Sequence, residues 1–298
     1  MSRADINECE ACVSPAEAFS VVGNETRLSI LEALWRAEER PVRFSELRET
    51  VGMRDSAQFN YHLQQLTDQF VVNTDGGYDL RYAGKKVVRA VIAGEFNQNP
   101  KWGPHEIDGD CVSCGAALVA TYADETITID CTDCGHPHGE YPFPPGGLTD
   151  RDREEVMQAF DQRVRHLHCL AADGVCPECS GKMTSHVGHD DDCCIGSDLR
   201  IEHVCQQCGH SLCSAIGLVL LDQSDVVHFH RDHDVDLNSR PYWTLPWCVS
   251  DHQTTVHSVE PLDVTVAIGL GGEELRVTID DDLQVEDVDR RNPVPADD

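Results

Sequence analysis

Four Cys-x-x-Cys pairs stand out and divide into two sets. CVSCGA (Cys111, Cys114) is followed after sixteen residues by CTDCGH (Cys131, Cys134), and CPECSG (Cys176, Cys179) after twenty-five by CQQCGH (Cys205, Cys208). Two residues between thiolates form a turn that aims both sulfurs at one ion. A second such turn across a hairpin completes a tetrahedral site with metal–sulfur distances of about 2.3 Å, the arrangement that structural zinc takes. The small residue after each second cysteine (Gly115, Gly135, Ser180, Gly209) keeps the turn open. Four thiolates leave no coordination position for water, so two structural zinc ions are expected rather than hydrolytic chemistry. The second set has the longer loop, and Cys193, Cys194, Cys213, His203 and His210 lie near enough to substitute. No nucleophile with its base, no phosphate loop and no open metal triad occurs, so no enzyme is expected.

Elements must bring these pairs together. ALVATYADETITID between the first two pairs alternates as a hairpin does, and MTSHVG with DLRIEHV supplies strands for the second set, with GHDDDCCIGSD at its tip. This organisation resembles zinc-ribbon folding as a general class. Between the sets, DREEVMQAFDQRVRHLHCLA is helical, with Val156, Phe160, Val164 and Leu167 as its apolar stripe. It reads either as a linker that separates the ribbons and aids dimerisation or as a core helix. SDVVHFHRDH carries His228, His230 and His233 without a carboxylate framework, which favours a polar helix face over a metal site. RPYWTLPW is aromatic and expected to be buried, and VTVAIGL with LRVTIDDDL forms a hairpin around Gly-Gly-Glu. Cys169 and Cys248 have no sequence partner and read as small buried hydrophobes. Cys9 and Cys12 are either half of an intersubunit metal or redox site or a free thiol pair.

The N-terminal third has a different grammar. Ser14 caps a short helix begun by Pro15; Leu28, Leu31, Leu34 and Trp35 stripe a second; Phe44, Leu47 and Val51 mark a third that ends near Gly52. In DSAQFNYHLQQLTDQF, a rotation of about 100° per residue puts Phe59, Leu63 and Leu66 on one face and Gln58, Asn60, Tyr61, Gln64 and Gln65 outside it. Amides there suit base edges, because Asn and Gln make paired hydrogen bonds to adenine in the major groove. His62 flanks the buried stripe and reads as a packing residue. FVV and YDLR flank a turn with Asp75, Gly76 and Gly77, and a helix follows from about Ala83. Helix, helix, helix-turn-helix, hairpin, helix is the order of a winged helix.

GNETRLSILEAL resembles the second-helix signature of the ArsR-like winged helix-turn-helix regulators, YHLQQL their His-Leu-x-x-Leu recognition-helix core, and DGGYDLR their wing. FNYHL with AGKKVVRAVIAG is similar to a halophilic archaeal branch of that group. The likeness covers residues 15–94 and implies a dimeric, DNA-binding transcriptional regulator. Metal-sensing members carry cysteines in the helix before the recognition helix, whereas FSELRETV has none, so that inducer site is not expected.

Asp and Glu number 53 against 23 Lys and Arg, a net charge of −30, a balance that normally argues against nucleic acid. Its distribution matters. Residues 1–99 hold 11 basic and 15 acidic side chains, the rest 12 and 38. Between Val42 and Arg89, seven basic residues (Arg43, Arg48, Arg54, Arg81, Lys85, Lys86, Arg89) face six acids, with Arg54, Arg81 and Lys85 where phosphates would lie. An acidic coat suits a cytosol at molar salt, where the Debye length shrinks to about 3 Å. Neither an apolar run of membrane-spanning length nor a signal peptide is apparent, so a cytoplasmic location without membrane association is expected, and the odd cysteine count favours metal over disulfides.

The resulting expectation is an α+β multidomain chain: a tail (1–14), a winged helix-turn-helix (15–97), two zinc-ribbon-like β units (98–148 and 173–222) around a linker helix (149–172), a small C-terminal helix and hairpin region (223–290), and a flexible tail (291–298). Its function is read as sequence-specific transcriptional regulation on double-stranded DNA by a homodimer, with a small-molecule or protein effector acting on the C-terminal part. The rival reading is a zinc-ribbon adaptor whose winged helix binds protein.

Overall fold

The computed structural model describes residues 13–188 and 199–292. The Cys9/Cys12 pair, Cys193, Cys194 and most of the acidic tip lie outside the described residues. The chain divides into two compact units, residues 1–98 and 99–298. Among the described residues it is α+β, with eight α-helices and four small antiparallel sheets.

In the first unit, α1 (Pro15–Val22) is opened by a capping box between Ser14 and Glu17. α2 (Glu25–Arg36) starts at Asn24, whose side chain accepts from the Arg27 N–H. Its core face is Ile30, Leu31 and Leu34, with Leu28 and Trp35 only half-buried. α3 (Phe44–Val51) stops at Gly52 in the left-handed conformation. α4 (Ser56–Leu66) is capped by Asp55, which accepts from the N–H groups of Ala57 and Gln58. Phe59, Leu63 and Leu66 are buried, one residue per turn on a single face.

β1 (Val71–Thr74) and β2 (Gly77–Leu80) pair from Val71↔Leu80 to Thr74↔Gly77, and α5 (Tyr82–Ile92) follows. Gly84 is the hinge of that packing: a Cβ there would lie 2.3 Å from the Phe70 carbonyl oxygen. Trp35 is covered by two guanidinium groups, Arg40 at 5.9 Å and Arg89 at 5.4 Å from the ring centroid.

The second unit opens with β3 (Trp102–Asp110), β4 (Ala117–Ala123), β5 (Thr126–Cys131) and β6 (Pro137–Pro142), a meander in that order. Asp124 and Glu125, both at positive φ, turn β4 into β5. After α6 (Arg153–Ala172) come β7 (Met183–Gly188), β8 (Arg200–Cys205) and β9 (Ser211–Ala215), then α7 (Ser224–Asp232), α8 (Pro246–Val249) and a second meander, β10 (Thr254–Val259), β11 (Leu262–Leu270), β12 (Glu273–Ile279) and β13 (Val285–Arg291).

One continuous apolar core joins both ribbons, α6, α7 and the last sheet. Of the two readings the sequence left open for α6, the core helix is the one its burial fits. Its stripe of Val156, Phe160, Val164 and Leu167 is buried, and so are Asp161, Arg165 and His168. β13 runs to Arg291, and Arg290 bridges Asp232 and Glu273 at 2.6 Å each; the expected tail beyond residue 292 lies outside the described residues. The C-terminal hairpin is the centre of a four-stranded sheet. Tyr242, Trp243 and Trp247 are buried as expected.

Candidate metal centres and the outer face of α4

Each tetracysteine set is built from one repeated piece of backbone. The N–H of the first cysteine of every pair donates to the carbonyl oxygen five residues on: Cys111 to Ala116, Cys131 to His136, Cys176 to Gly181 and Cys205 to His210, at 2.8–3.0 Å. Closing that loop requires a left-handed residue after the second cysteine. Gly115, Gly135 and Gly209 supply it at φ 76°, 70° and 74°, and Ser180 does so at 59°.

In the first site Cys111 and Cys134 sulfurs lie 3.6 Å apart and Cys114 and Cys131 3.4 Å. In the second, Cys176 and Cys208 lie 3.7 Å apart and Cys179 and Cys205 3.5 Å. All four sulfurs of each set fall within 4.8 Å of one another. A tetrahedron with metal–sulfur bonds of about 2.3 Å has edges of about 3.8 Å, so both sets are dimensioned for one four-coordinate ion. Each can hold a metal. β4 and β5 carry the first site, β7 and β8 the second, and Cys213, His203 and His210 are in neither ligand group among the described residues.

Backbone dipoles prepare the sulfurs. Ser113 and Asp133 N–H groups point at Cys111 and Cys131, and Gly181 and Gln207 N–H groups at Cys179 and Cys205, all at 3.3–3.4 Å. The Asp133 N–H holds the Cys131 thiol down to about 6. The Cys208 N–H, helped by that of Gln207, does the same for Cys205, also to about 6. Their partners move the other way. Although the His136 N–H pulls it down, Cys134 is pushed up to about 12 by the Cys114 sulfur and by burial. Cys179 reaches about 12 against the pull of the Gly181 N–H, through Cys208 and burial. A crowded set of thiols that cannot all ionise is what a cation would resolve.

Other sequence candidates are placed differently. His230 is buried, with Nδ1 2.7 Å from the Val226 carbonyl oxygen, His228 is exposed, and His233 Nε2 meets Glu273 at 3.5 Å. The three form no described ligand group, and the polar face expected of that helix includes one core histidine. Cys248 is buried, which pushes its thiol well up. Cys169 is half-buried and raised to about 11, first by its hydrogen bond with Asp222.

On α4, Gln58, Tyr61, Gln64 and Gln65 are exposed on one side and Asn60 is half-buried. Tyr61 stands edge-on to His62 at 5.4 Å. His62 is half-buried and its Nδ1 is enclosed. Arg54 is exposed ahead of the helix and Lys85 half-buried. The Arg81 guanidinium donates to the Asp68 carbonyl oxygen, whereas Lys86 lies over the exposed Tyr82 ring at 5.6 Å.

Sequence reasoning missed a buried polar lock. Arg165 Nε donates to Asp161 at 2.8 Å, both side chains about 5% exposed. Asp161 also accepts the Tyr242 N–H at 2.7 Å, and Arg165 reaches the Arg240 carbonyl. Two charges four residues apart on an amphipathic helix look like a solvated pair, so no sequence signal marked them.

No helix among the described residues is long and apolar enough to cross a membrane. No curated protein matches the chain, and no solved structure does. A family described as Domain of unknown function (DUF7347) matches residues 15–91, a span that runs from α1 almost to the end of α5. The second match begins just before the first knuckle and takes in both tetracysteine sites, α6 and most of the last sheet; over residues 108–285 the chain belongs to the family described as Domain of unknown function (DUF7351).

Proposed function

We propose that this protein is a sequence-specific, DNA-binding transcriptional regulator whose first unit is an ArsR-like winged helix-turn-helix and whose second unit, braced by two structural zinc ions, receives an effector or partner. One observation carries the reading: α4 buries Phe59, Leu63 and Leu66 while Gln58, Tyr61, Gln64 and Gln65 stand exposed together. Such a row matches the hydrogen-bonding edges of bases in a major groove. Arg54 and Lys85 are assigned to phosphate, with Lys86 beside them; Arg81 would have to leave the Asp68 carbonyl to join them. Zinc is assigned because four thiolates in a closed tetrahedral set suit it.

A homodimer is supported by α1, which sets only Ala18, Val21 and Val22 half-buried against the core and exposes Phe19 by 71%, and by Ile92 and Phe96, exposed by 55% and 74%. The same reading places the protein in the cytoplasm. Molar salt weakens the phosphate contribution steeply, so base contacts carry more of the affinity.

Selection from a random duplex library in molar potassium chloride is expected to enrich one motif. Asn60→Ala with Gln64→Ala should relax the preference by about 1–3 kcal/mol per lost bidentate contact, read by fluorescence anisotropy. No enriched duplex at any salt would overturn the reading. The adaptor alternative draws on one fact, the 38 acidic against 12 basic residues beyond residue 99; it wins if the first unit captures a protein through the α4 face and ignores DNA.

A further inference from the structure

α4 is an uncharged helix in a highly charged chain. From Ser56 to Leu66 it holds no Lys, Arg, Asp or Glu, although 26% of all residues are charged. A rotation of about 100° per residue sets Ala57, Tyr61 and Gln64 opposite the buried stripe of Phe59, Leu63 and Leu66, with Gln58 and Gln65 beside them. All five are exposed, Tyr61 by 56%. The residue types missing from this face matter as much as those present.

Each base matches a different side chain in the major groove. Guanine shows two acceptors, O6 and N7, and is read by Arg or Lys; cytosine shows the N4 donor and is read by Asp or Glu. Adenine sets a donor beside an acceptor, which a Gln or Asn amide matches, and thymine adds a methyl group that takes apolar contact. The outer face of α4 therefore offers amides to adenine, and the Ala57 methyl and Tyr61 ring to thymine. Ser56, the one other exposed side chain of the helix, suits either pair and discriminates neither. Nothing on the face is matched to guanine or cytosine.

The β1–β2 hairpin adds a second constraint. Its exposed stretch, residues 72–76, contains Asp75 and no Lys or Arg. A narrow minor groove is strongly negative and draws in Arg and Lys, so a carboxylate at the hairpin tip is repelled. Arg81, just past β2, is engaged by the Asp68 carbonyl oxygen.

We propose, resting on the DNA-binding reading above, that α4 selects A·T base pairs from the major groove alone. Gln58, Gln64 and Gln65 take adenine N6 and N7, Ala57 and Tyr61 take the thymine methyl, and the hairpin stays outside the minor groove. Uncharged contacts of this kind release no counterions, so they keep their strength at molar salt, where the phosphate contribution is weakest.

The test uses the full chain in molar potassium chloride, a duplex selected from a random library, and fluorescence anisotropy. The enriched motif is expected to be A·T-rich. Base replacements within it then separate the grooves. An inosine·cytosine pair shows the major groove of G·C and the minor groove of A·T, so exchanging A·T pairs for it should weaken binding by about ten-fold or more. 7-Deazaadenine, which lacks only the N7 acceptor, should do the same, and uracil, which lacks only the thymine methyl, should cost about three-fold. Gln58→Arg should move the preference at one position from adenine to guanine by about ten-fold, whereas Asp75→Asn should change affinity less than about two-fold, as expected of a tip outside the groove. Circular dichroism checks that each variant is folded. A G·C-rich motif, or binding that tolerates inosine·cytosine, overturns this inference and leaves the DNA-binding reading standing; binding to no duplex overturns both.

Discussion

Ser180 occupies a backbone position that glycine holds in the other three knuckles, at φ 59° against 70–76°. An L-residue there crowds its Cβ against the carbonyl, at a cost of about 1 kcal/mol. Ser180→Gly is therefore expected to stabilise the second unit by about 1 kcal/mol and Gly115→Ala to destabilise the first site by a similar amount, both measured by denaturant unfolding. The ligand sets were legible because a metal knuckle is local: two cysteines, two spacers and a permissive residue specify it. The φ at Ser180 was not, since nothing in CPECSG distinguishes a strained serine from a relaxed one. His230 was misread for a related reason: His228 and His230 on one short helix, with His233 just past its end, look alike until packing buries His230.

At the scale of elements, α6 shows how far periodicity reaches. Its four-residue apolar stripe was visible in sequence, yet whether the helix spaced two ribbons or joined them depended on what covered its other sides. Asp161 and Arg165 decide for joining, because they lock the segment around Tyr242 onto the helix. Removing one partner of a buried pair strands the other charge, so Asp161→Ala is expected to cost about 3–5 kcal/mol, seen as a lowered unfolding midpoint, with loss of the ordered Trp243 signal in near-ultraviolet circular dichroism. β3 and β6 escaped notice because WGPHEIDGD and PHGEYP carry Gly, Pro and charge where strands usually carry β-branched residues. In the first unit, Phe19→Glu on α1 should convert a dimer to a monomer in light-scattering measurements without unfolding the chain, since Phe19 is 71% exposed.

Across the whole molecule, the groups that could hold metal and the histidines that resist protonation lie in the same second unit. Chelation is expected to abolish its thermal transition while the first unit, whose core among the described residues contains no cysteine, keeps its own; calorimetry separates the two. The acid limb has a defined sign. Burial pushes His168 down to about 3 and His138 down to about 4, against an ordinary value of about 6.5. Above that value both states are neutral and nothing changes. Below it the unfolded chain takes up protons that the folded chain refuses, so stability falls from about pH 6.5 down to about pH 3, where His168 itself takes up its proton. His168→Phe, which still fills the space beside Tyr141 at 5.3 Å, should flatten that decline in pH-dependent urea titrations.

Sequence alone determined the features that depend on neighbours in the chain: two tetracysteine ligand sets, the capped helices of the first unit, the amphipathic stripes and the segregation of acid beyond residue 99. Only tertiary structure decided that both ribbons, α6 and the last sheet share one core, that Asp161, Arg165 and His168 are interior, and that the Trp243 indole donates to the Asp108 carbonyl of β3. The division has a physical cause. Turn geometry and helical periodicity act over a few residues, whereas desolvation of a charge or the covering of a strand edge depends on surfaces that meet only when distant segments pack.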